Sequence, residues 1–193
     1  MTTTIYLMRH GETLFNVEKR IQGACDSPLT AKGQAQATAM GQLLASRGVR
    51  FDAAYSSTAE RAVDTLDLVL TTMNQQAIPT HHLKSLKEFS FGSFEGMPER
   101  LNPPLPYNEF FVKYGGESTA QVETRITRAI TEIAAQETGH DVLIVSHSGA
   151  CRGFMQRCVP AAYDIVGPHM PNSTVLKIVY DNRQFSLDKV ISL

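Results

Sequence analysis

Two histidines each follow a short apolar run. His10 comes after Thr4–Met8 and Arg9, and His147 comes after Val142–Val145 and Ser146. A histidine beside a core needs a hydrogen-bond partner or a chemical task. Two of them at equivalent ends of buried strands favour the task, because both would face one cleft. Positive groups gather nearby. Arg9 precedes the first histidine, and Arg61 falls in the first turn of a helical pattern, where the helix dipole disfavours a cation. A solvated arginine would account for Arg61, and so would an arginine that reaches for an anion. Helix N-termini expected after Ser57 and Ser148 would add backbone N–H donors, a usual setting for phosphate. Arginine's planar fork matches phosphate oxygens bidentately. Such a cleft suits a doubly charged anion.

Metal chemistry has little support in the residues. No Asp-rich spacing for a hard cation sits beside the expected strand ends. Cys151 and Cys158 do not have zinc-ligand spacing. No metal and no cofactor is expected.

The elements that must position these residues alternate. Thr4–Met8, Asp52–Ser56 and Val142–Val145 read as strands, and Val175–Tyr180 and Phe185–Ile191 as an antiparallel pair turning at Asp181–Arg183. Helical stripes lie between them. One runs through Ala37, Met40, Leu44 and Arg47 and stops at Gly48. A second runs from Ala59 to Leu70, with a capping box expected at Ser57–Glu60. A third runs through Val122, Ile126, Ala129, Ile130 and Ile133, with a box at Ser118–Gln121. A short fourth helix should follow Ser148. This rhythm predicts a three-layer α/β/α sandwich on a mostly parallel sheet. The expectation is a single domain over residues 1–193, interrupted by an insertion at about 89–117 that carries Pro103, Pro104 and Pro106.

The formal net charge is -1, with 18 Lys+Arg against 19 Asp+Glu, so no global field draws the chain to nucleic acid or an anionic membrane. No secretory leader and no membrane span is read in the chain. Three cysteines do not make a disulfide framework, and Cys151 and Cys158 are too far apart along one helix to bridge. Reduced thiols suggest a cytoplasmic protein. The C-terminal hairpin offers a sheet edge on which a second copy could pair as a homodimer. His81, His82, His140 and His169 read as surface or loop residues, with His169 in a loop that could border the cleft.

An ordered set of motifs resembles the histidine phosphatase superfamily in its phosphoglycerate mutase-like branch. It begins with Arg9-His10-Gly11-Glu12-Thr13, Asn16, Arg20-Ile21-Gln22-Gly23 and Pro28–Ala35. It continues with Tyr55-Ser56-Ser57, Arg61-Ala62, Leu86-Lys87-Glu88, Gly92, Phe94-Glu95-Gly96, Gly115–Ser118 and Val145-Ser146-His147. The resemblance implies that His10 is a nucleophile phosphorylated on a ring nitrogen. It implies a cationic shell of Arg9, Arg61 and a protonated His147, and Glu88 as general acid. Asn16, Gln22, Gly23 and Ser148 are the implied substrate-binding residues. Glu88 read on its own is a surface glutamate, and only the resemblance promotes it. Ser148 stands where the family often has glycine, and its hydroxyl could add a contact or crowd the pocket.

Chemistry at His10 does not separate a phosphatase from a cofactor-dependent phosphoglycerate mutase. The segment between Glu88 and Ser118 holds only Arg100 and Lys113 as basic residues, where mutases of the family place more. It also holds Phe89, Phe91, Phe94, Tyr107, Phe110, Phe111 and Tyr114. These rings could form a satellite core or a pocket wall for an apolar alcohol. The expectation is a phosphatase for a small phosphomonoester with an apolar body. The alternatives are the mutase, a phosphoprotein phosphatase, and a phosphate-binding module without chemistry.

Overall fold

Ile5 and Leu7 enter one core and Tyr6 and Met8 another, so the first apolar run is a strand covered on both faces. The structure, a computed structural model, describes residues 1–193. Six strands form one sheet: β1 (Thr3–Arg9), β2 (Ala53–Ser57), β3 (Thr80–Leu83), β4 (Asp141–Ser146), β5 (Val175–Asp181) and β6 (Gln184–Ile191). Their order is β3-β2-β4-β1-β5-β6. The pairs β2–β3, β2–β4 and β1–β4 are parallel, and β5 and β6 join antiparallel. The helices are α1 (Leu14–Glu18), α2 (Ala31–Ser46), α3 (Glu60–Thr72), α4 (Thr119–Gln136), α5 (Ser148–Cys158) and α6 (Pro160–Val166). Met40 and Leu44 of α2 and Leu66 and Val69 of α3 cover one face. Ile126 and Ile130 of α4, Phe154 of α5 and Ala162 of α6 cover the other. This is the three-layer α/β/α sandwich with a mostly parallel sheet.

Sheet register is what places the chemistry. Arg9 and Ser146 are paired on adjacent parallel strands, and the His10 N–H donates to Ser146 O at 3.1 Å. Both chains therefore leave the sheet at the same end, and His10 and His147 emerge side by side.

Several local expectations are revised. The capping box at Ser57 does not form, because the N-cap of α3 is Ala59 and the Ser57 hydroxyl turns toward His147. Arg47 leaves the buried stripe as the exposed C-cap of α2. The box on Ser118 and Gln121 does form. His81 and His82 are exposed as expected but lie in β3, an edge strand created by pairing with β2. The short helices α1 and α6 carry too little apolar periodicity to be read from sequence. All three cysteines are free, and no helix is long and apolar enough to cross a membrane.

The aromatic insertion is a satellite core. Phe89, Phe91 and Phe111 are buried with Ile21 and Val122, and Phe94, Tyr107 and Phe110 pack against them. Phe111 sits at the centre, with ring centroids 5.0–5.7 Å from Phe89, Phe91, Phe94, Tyr107 and Phe110. Edge-to-face pairs of this kind add to simple area burial. Phe111→Ala should therefore cost about 3–5 kcal/mol in urea unfolding, as for a true core phenylalanine. A loss below about 1 kcal/mol would mean that the cluster is not a core.

Candidate active site

His10 has one ring nitrogen engaged. Its Nδ1 lies 2.7 Å from Gly11 O. A carbonyl only accepts, so Nδ1 carries the hydrogen and Nε2 keeps its lone pair. Burial, then the charges of Arg61 and Arg9, hold the His10 pKa well below 6.5. The residue is therefore neutral at physiological pH. Its backbone oxygen accepts from Asn172 Nδ2 at 3.0 Å, and Gly11 N donates to Thr65 Oγ1 at 3.0 Å. These bonds fix the chain on both sides of the ring.

His147 lies behind it, with ring centroids 5.1 Å apart. Arg61 Nε donates to His147 Nδ1 at 3.2 Å, which leaves Nε2–H to donate to Ser57 Oγ at 2.7 Å. Burial, then Arg61, His10 and Arg9, push the His147 pKa well below 6.5. The expected protonated His147 is instead a neutral imidazole between two fixed partners.

Arg61 is 1% exposed. It donates to Asp26 Oδ1 at 2.7 Å, to Cys25 O at 3.1 Å and to Gly23 O at 3.0 Å, besides His147. Asp26 Oδ2 also takes the Glu60 N–H at 2.6 Å. This carboxylate answers both the buried charge and the N-terminus of α3, which explains a cation in the first turn. The loop that delivers these acceptors is held by Glu95, whose carboxylate takes the N–H groups of Gly23, Ala24, Cys25 and Phe91 at 2.8–3.1 Å. A Cβ at Gly23 would collide with Phe89 O and the Glu95 carboxylate. Gly23 thus supports Arg61 and is absent from the cleft wall, contrary to a substrate-binding reading.

Glu88 comes from a separate segment. Its carboxylate accepts from the N–H groups of Phe89, Gly149 and Ala150, each at 2.8 Å. The N-terminus of α5 therefore holds Glu88, where the sequence suggested a free phosphate seat. A Cβ at Gly149 would lie 2.6 Å from Glu88 Oε1, so glycine there permits the approach. Arg125 of α4 braces the same segment from behind. It donates to the carbonyls of Ser85, Lys87 and Glu88 at 2.8–3.2 Å and pairs with Glu117 at 2.8 Å.

These groups meet at a cleft of about 660 Å³. Arg9, His10, Glu88, Asn16, Gln22 and Ser148 line it, whereas Arg61, His147 and Gly23 stand behind the wall. Gln22 lies on the wall, but its amide is engaged by Thr13 at 2.8 Å and Ser27 at 2.9 Å. Arg9 donates to Met170 O, yet its Nε and the Ser148 hydroxyl have no protein partner. His169 borders the cleft, as its loop suggested. Of the insertion's rings only Phe91 and Tyr107 reach the wall. The wall is otherwise mostly polar, and Lys19, Arg20 and Arg152 join it. That composition does not favour an apolar alcohol. Asp26, Glu95, Arg125 and Arg152 escaped the sequence reading as site residues. Only the misplaced cation at Arg61 hinted at the first of them.

Two buried neutral imidazoles make stability depend on pH. In the unfolded chain both titrate near 6.5, and in the folded chain well below it. Their contribution is complete above 6.5 and is lost as pH falls from there toward the folded values, because only the unfolded chain then binds the protons. Each group can contribute a slope of about 1.4 kcal/mol per pH unit. Urea midpoints taken at pH of about 7.5 and about 5.5 should fall more for the wild type than for a His10→Asn, His147→Asn double variant. Equal drops would contradict the buried neutral pair.

Known proteins match this arrangement. A profile of the histidine phosphatase superfamily (branch 1) matches residues 5–192. The broad-specificity phosphatase YOR283W of Saccharomyces cerevisiae is 31% identical over 196 residues, covering 96% of this chain and 84% of that protein. The crystal structure of phosphoglycerate mutase from Bacillus anthracis aligns with a TM-score of 0.82 at 28% identity, covering 100% of this chain and 92% of that one. Phosphoserine phosphatase from Entamoeba histolytica, solved with 3-phosphoglyceric acid, aligns at 0.78 and 25% identity, covering 99% and 98%. With paired strand-end histidines on this sandwich and a family match from the first strand to the last, the chain belongs to the histidine phosphatase superfamily, branch 1.

Proposed function

We propose that this protein is a metal-independent phosphomonoester phosphatase that works on a small organic phosphate through a phosphohistidine on His10. The observation that carries the proposal is the unprotonated Nε2 of a buried, neutral His10 on the wall of a cationic cleft. In the first step Nε2 forms a bond to phosphorus as the P–O ester bond breaks. The leaving oxygen takes a proton from the Glu88 carboxylic acid. In the second step water attacks phosphorus, the N–P bond breaks, and the Glu88 carboxylate takes the water proton. Arg9 on the wall supplies charge to the phosphoryl oxygens directly, and the buried Arg61 adds its positive field from behind the wall. Transfer of this kind depends mainly on positioning and charge stabilisation. Asn16, held by Thr13 and Asn172 at 3.2 Å, and Ser148 contribute polar contacts at the wall.

Hydrolysis is favoured over isomerisation by the insertion. Its two basic residues, Arg100 and Lys113, are absent from the cleft wall, and Lys113 lies instead over the Phe110 and Tyr114 rings. A broad-specificity phosphatase among the relatives points the same way. The cofactor-dependent mutase is the second reading, supported by Lys19, Arg20 and Arg152 on the wall as possible holders of another anionic group. Free cysteines fit a cytoplasmic setting. The net charge of -1 gives no basis for a nucleic-acid or membrane partner, and the outer edge of β6 is the place where a second copy would pair.

Quenching the protein in denaturant shortly after mixing with a radiolabelled alkyl phosphate should trap an alkali-stable, acid-labile phosphate that His10→Ala lacks. Glu88→Gln should slow turnover of the alkyl ester by about 10²–10⁴-fold, in the range of a positioned acid. It should slow the first step far less for a nitrophenyl ester, whose leaving group needs no proton. Absence of a His10-dependent phosphoenzyme would refute the mechanism. Activity that appears only with 2,3-bisphosphoglycerate would establish the mutase instead.

A further inference from the structure

The loop before β5 grips the two residues with which the chain leaves β1. Asn172 Nδ2 donates to His10 O at 3.0 Å, Ser173 N donates to Arg9 O at 3.1 Å, and Arg9 N donates to Thr174 O at 3.1 Å. The Arg9 guanidinium also donates to Met170 O. Ser173 is 1% exposed and has φ 57°, in the left-handed region that a residue with a Cβ keeps only where its surroundings hold it. The backbone is thus committed to presenting Asn172 beside the nucleophile. Asn172 lines the cleft together with His10 and Asn16, yet its Nδ2 is turned to the protein. One N–H goes to His10 O and the other to Asn16 Oδ1 at 3.2 Å.

We propose that Asn172 is a positioning residue for the phosphoryl transfer: it anchors the backbone of His10 and turns the Asn16 amide so that its N–H donors meet the phosphoryl oxygens. Asn16 Oδ1 also accepts the Thr13 N–H at 3.2 Å. With Asn172 it therefore faces two donors, and both of its acceptor sites are spent. The reversed amide would set Nδ2 against those same donors, which is repulsive. Asn16 Nδ2 is accordingly the end left for the cleft that the residue lines, and it bonds to no protein atom. Donors there suit the negatively charged oxygens of a phosphoryl group, whereas an amide oxygen would repel them. The side chain at 172 fits this task by type. A primary amide carries two N–H groups on one atom, while a serine hydroxyl has one hydrogen and a carboxylate has none. Asn172 acts through His10 and Asn16, with no contact of its own to the reacting atoms.

This inference rests on the phosphatase reading for what enters the cleft, but its binding half needs no turnover. Calorimetric affinities of methylphosphonate should be compared in wild type, Asn16→Ala, Asn172→Ala and the double variant. Each single change should weaken binding about tenfold, the scale of one hydrogen bond to a charged group. The double variant should bind within about twofold of Asn16→Ala, because Asn172 then has no amide to turn. The anchor on His10 is read separately, by rapid-quench phosphorylation at saturating nitrophenyl phosphate. Adding Asn172→Ala to Asn16→Ala should still slow that step about tenfold, the cost of a loosened nucleophile. Asn172→Leu keeps the side chain's size without its donors and should repeat both results, so a packing defect in the Ala variant does not blur them. Affinity within about twofold of wild type in the Ala and Leu variants, or losses that add in the double variant, overturns the proposal. An unchanged phosphorylation rate in the double variant overturns it as well. Coupled binding losses with no phosphorylated His10 in the wild type would uphold the turning of Asn16 and sink the phosphatase reading.

Discussion

A guanidinium taken as far from water as that of Arg61 has to find acceptors on nearly every side. Asp26 supplies the opposite charge, the carbonyls of Gly23 and Cys25 take two more N–H groups, and His147 Nδ1 takes Nε–H. Each acceptor constrains something else. The loop that carries Gly23 and Cys25 must hold its shape, and Glu95 holds it through four backbone N–H groups. His147 must present an unprotonated Nδ1, which settles its tautomer. The same positive charge beside two buried imidazoles disfavours a proton on either. One buried cation thus sets the geometry behind His10 and adds to the burial that keeps both rings neutral.

The helix N-termini carry a related logic. Isolated, the first turns of α3 and α5 would be seats for a free anion. Here each is taken by a carboxylate of the protein, Asp26 on α3 and Glu88 on α5. That choice turns two generic phosphate seats into rigid attachment points for functional side chains. Glu88 is fixed from the other side by Arg125, whose guanidinium gathers three carbonyls of the 85–88 segment and leans on Glu117. Glu88 is thereby held at its backbone and at its carboxylate.

The aromatic segment shows how packing and recognition divide one stretch of chain. Most of its rings satisfy one another around Phe111. That cluster supports the segment without the strands or long helices that would otherwise order it. Only Phe91 and Tyr107 face the cleft, and Tyr107 does so beneath the guanidinium of Arg152. Aromatic content in the sequence therefore signalled stability more than substrate polarity. The polar and cationic wall is what a substrate would meet.

Much of the fold was legible because its physics is local. Continuous apolar runs such as Val142–Val145 announce strands covered on both faces, and the stripe from Val122 to Ile133 announces a helix with one buried face. Ser118 and Gln121 cap that helix through contacts three residues apart, which a sequence can display. His10 and His147 at the ends of two such strands, and the motif order around them, were legible for the same reason. The remainder depends on pairs far apart in the chain. The strand at Thr80–Leu83 exists through pairing with β2, and Ser57 abandons its expected cap for a histidine ninety residues away. Whether His147 is charged, which carboxylate answers Arg61, and that Arg152 lines the cleft follow from burial and distance. Those are properties of the assembled layers, because a charge's cost and partners are defined only once water has been excluded around it.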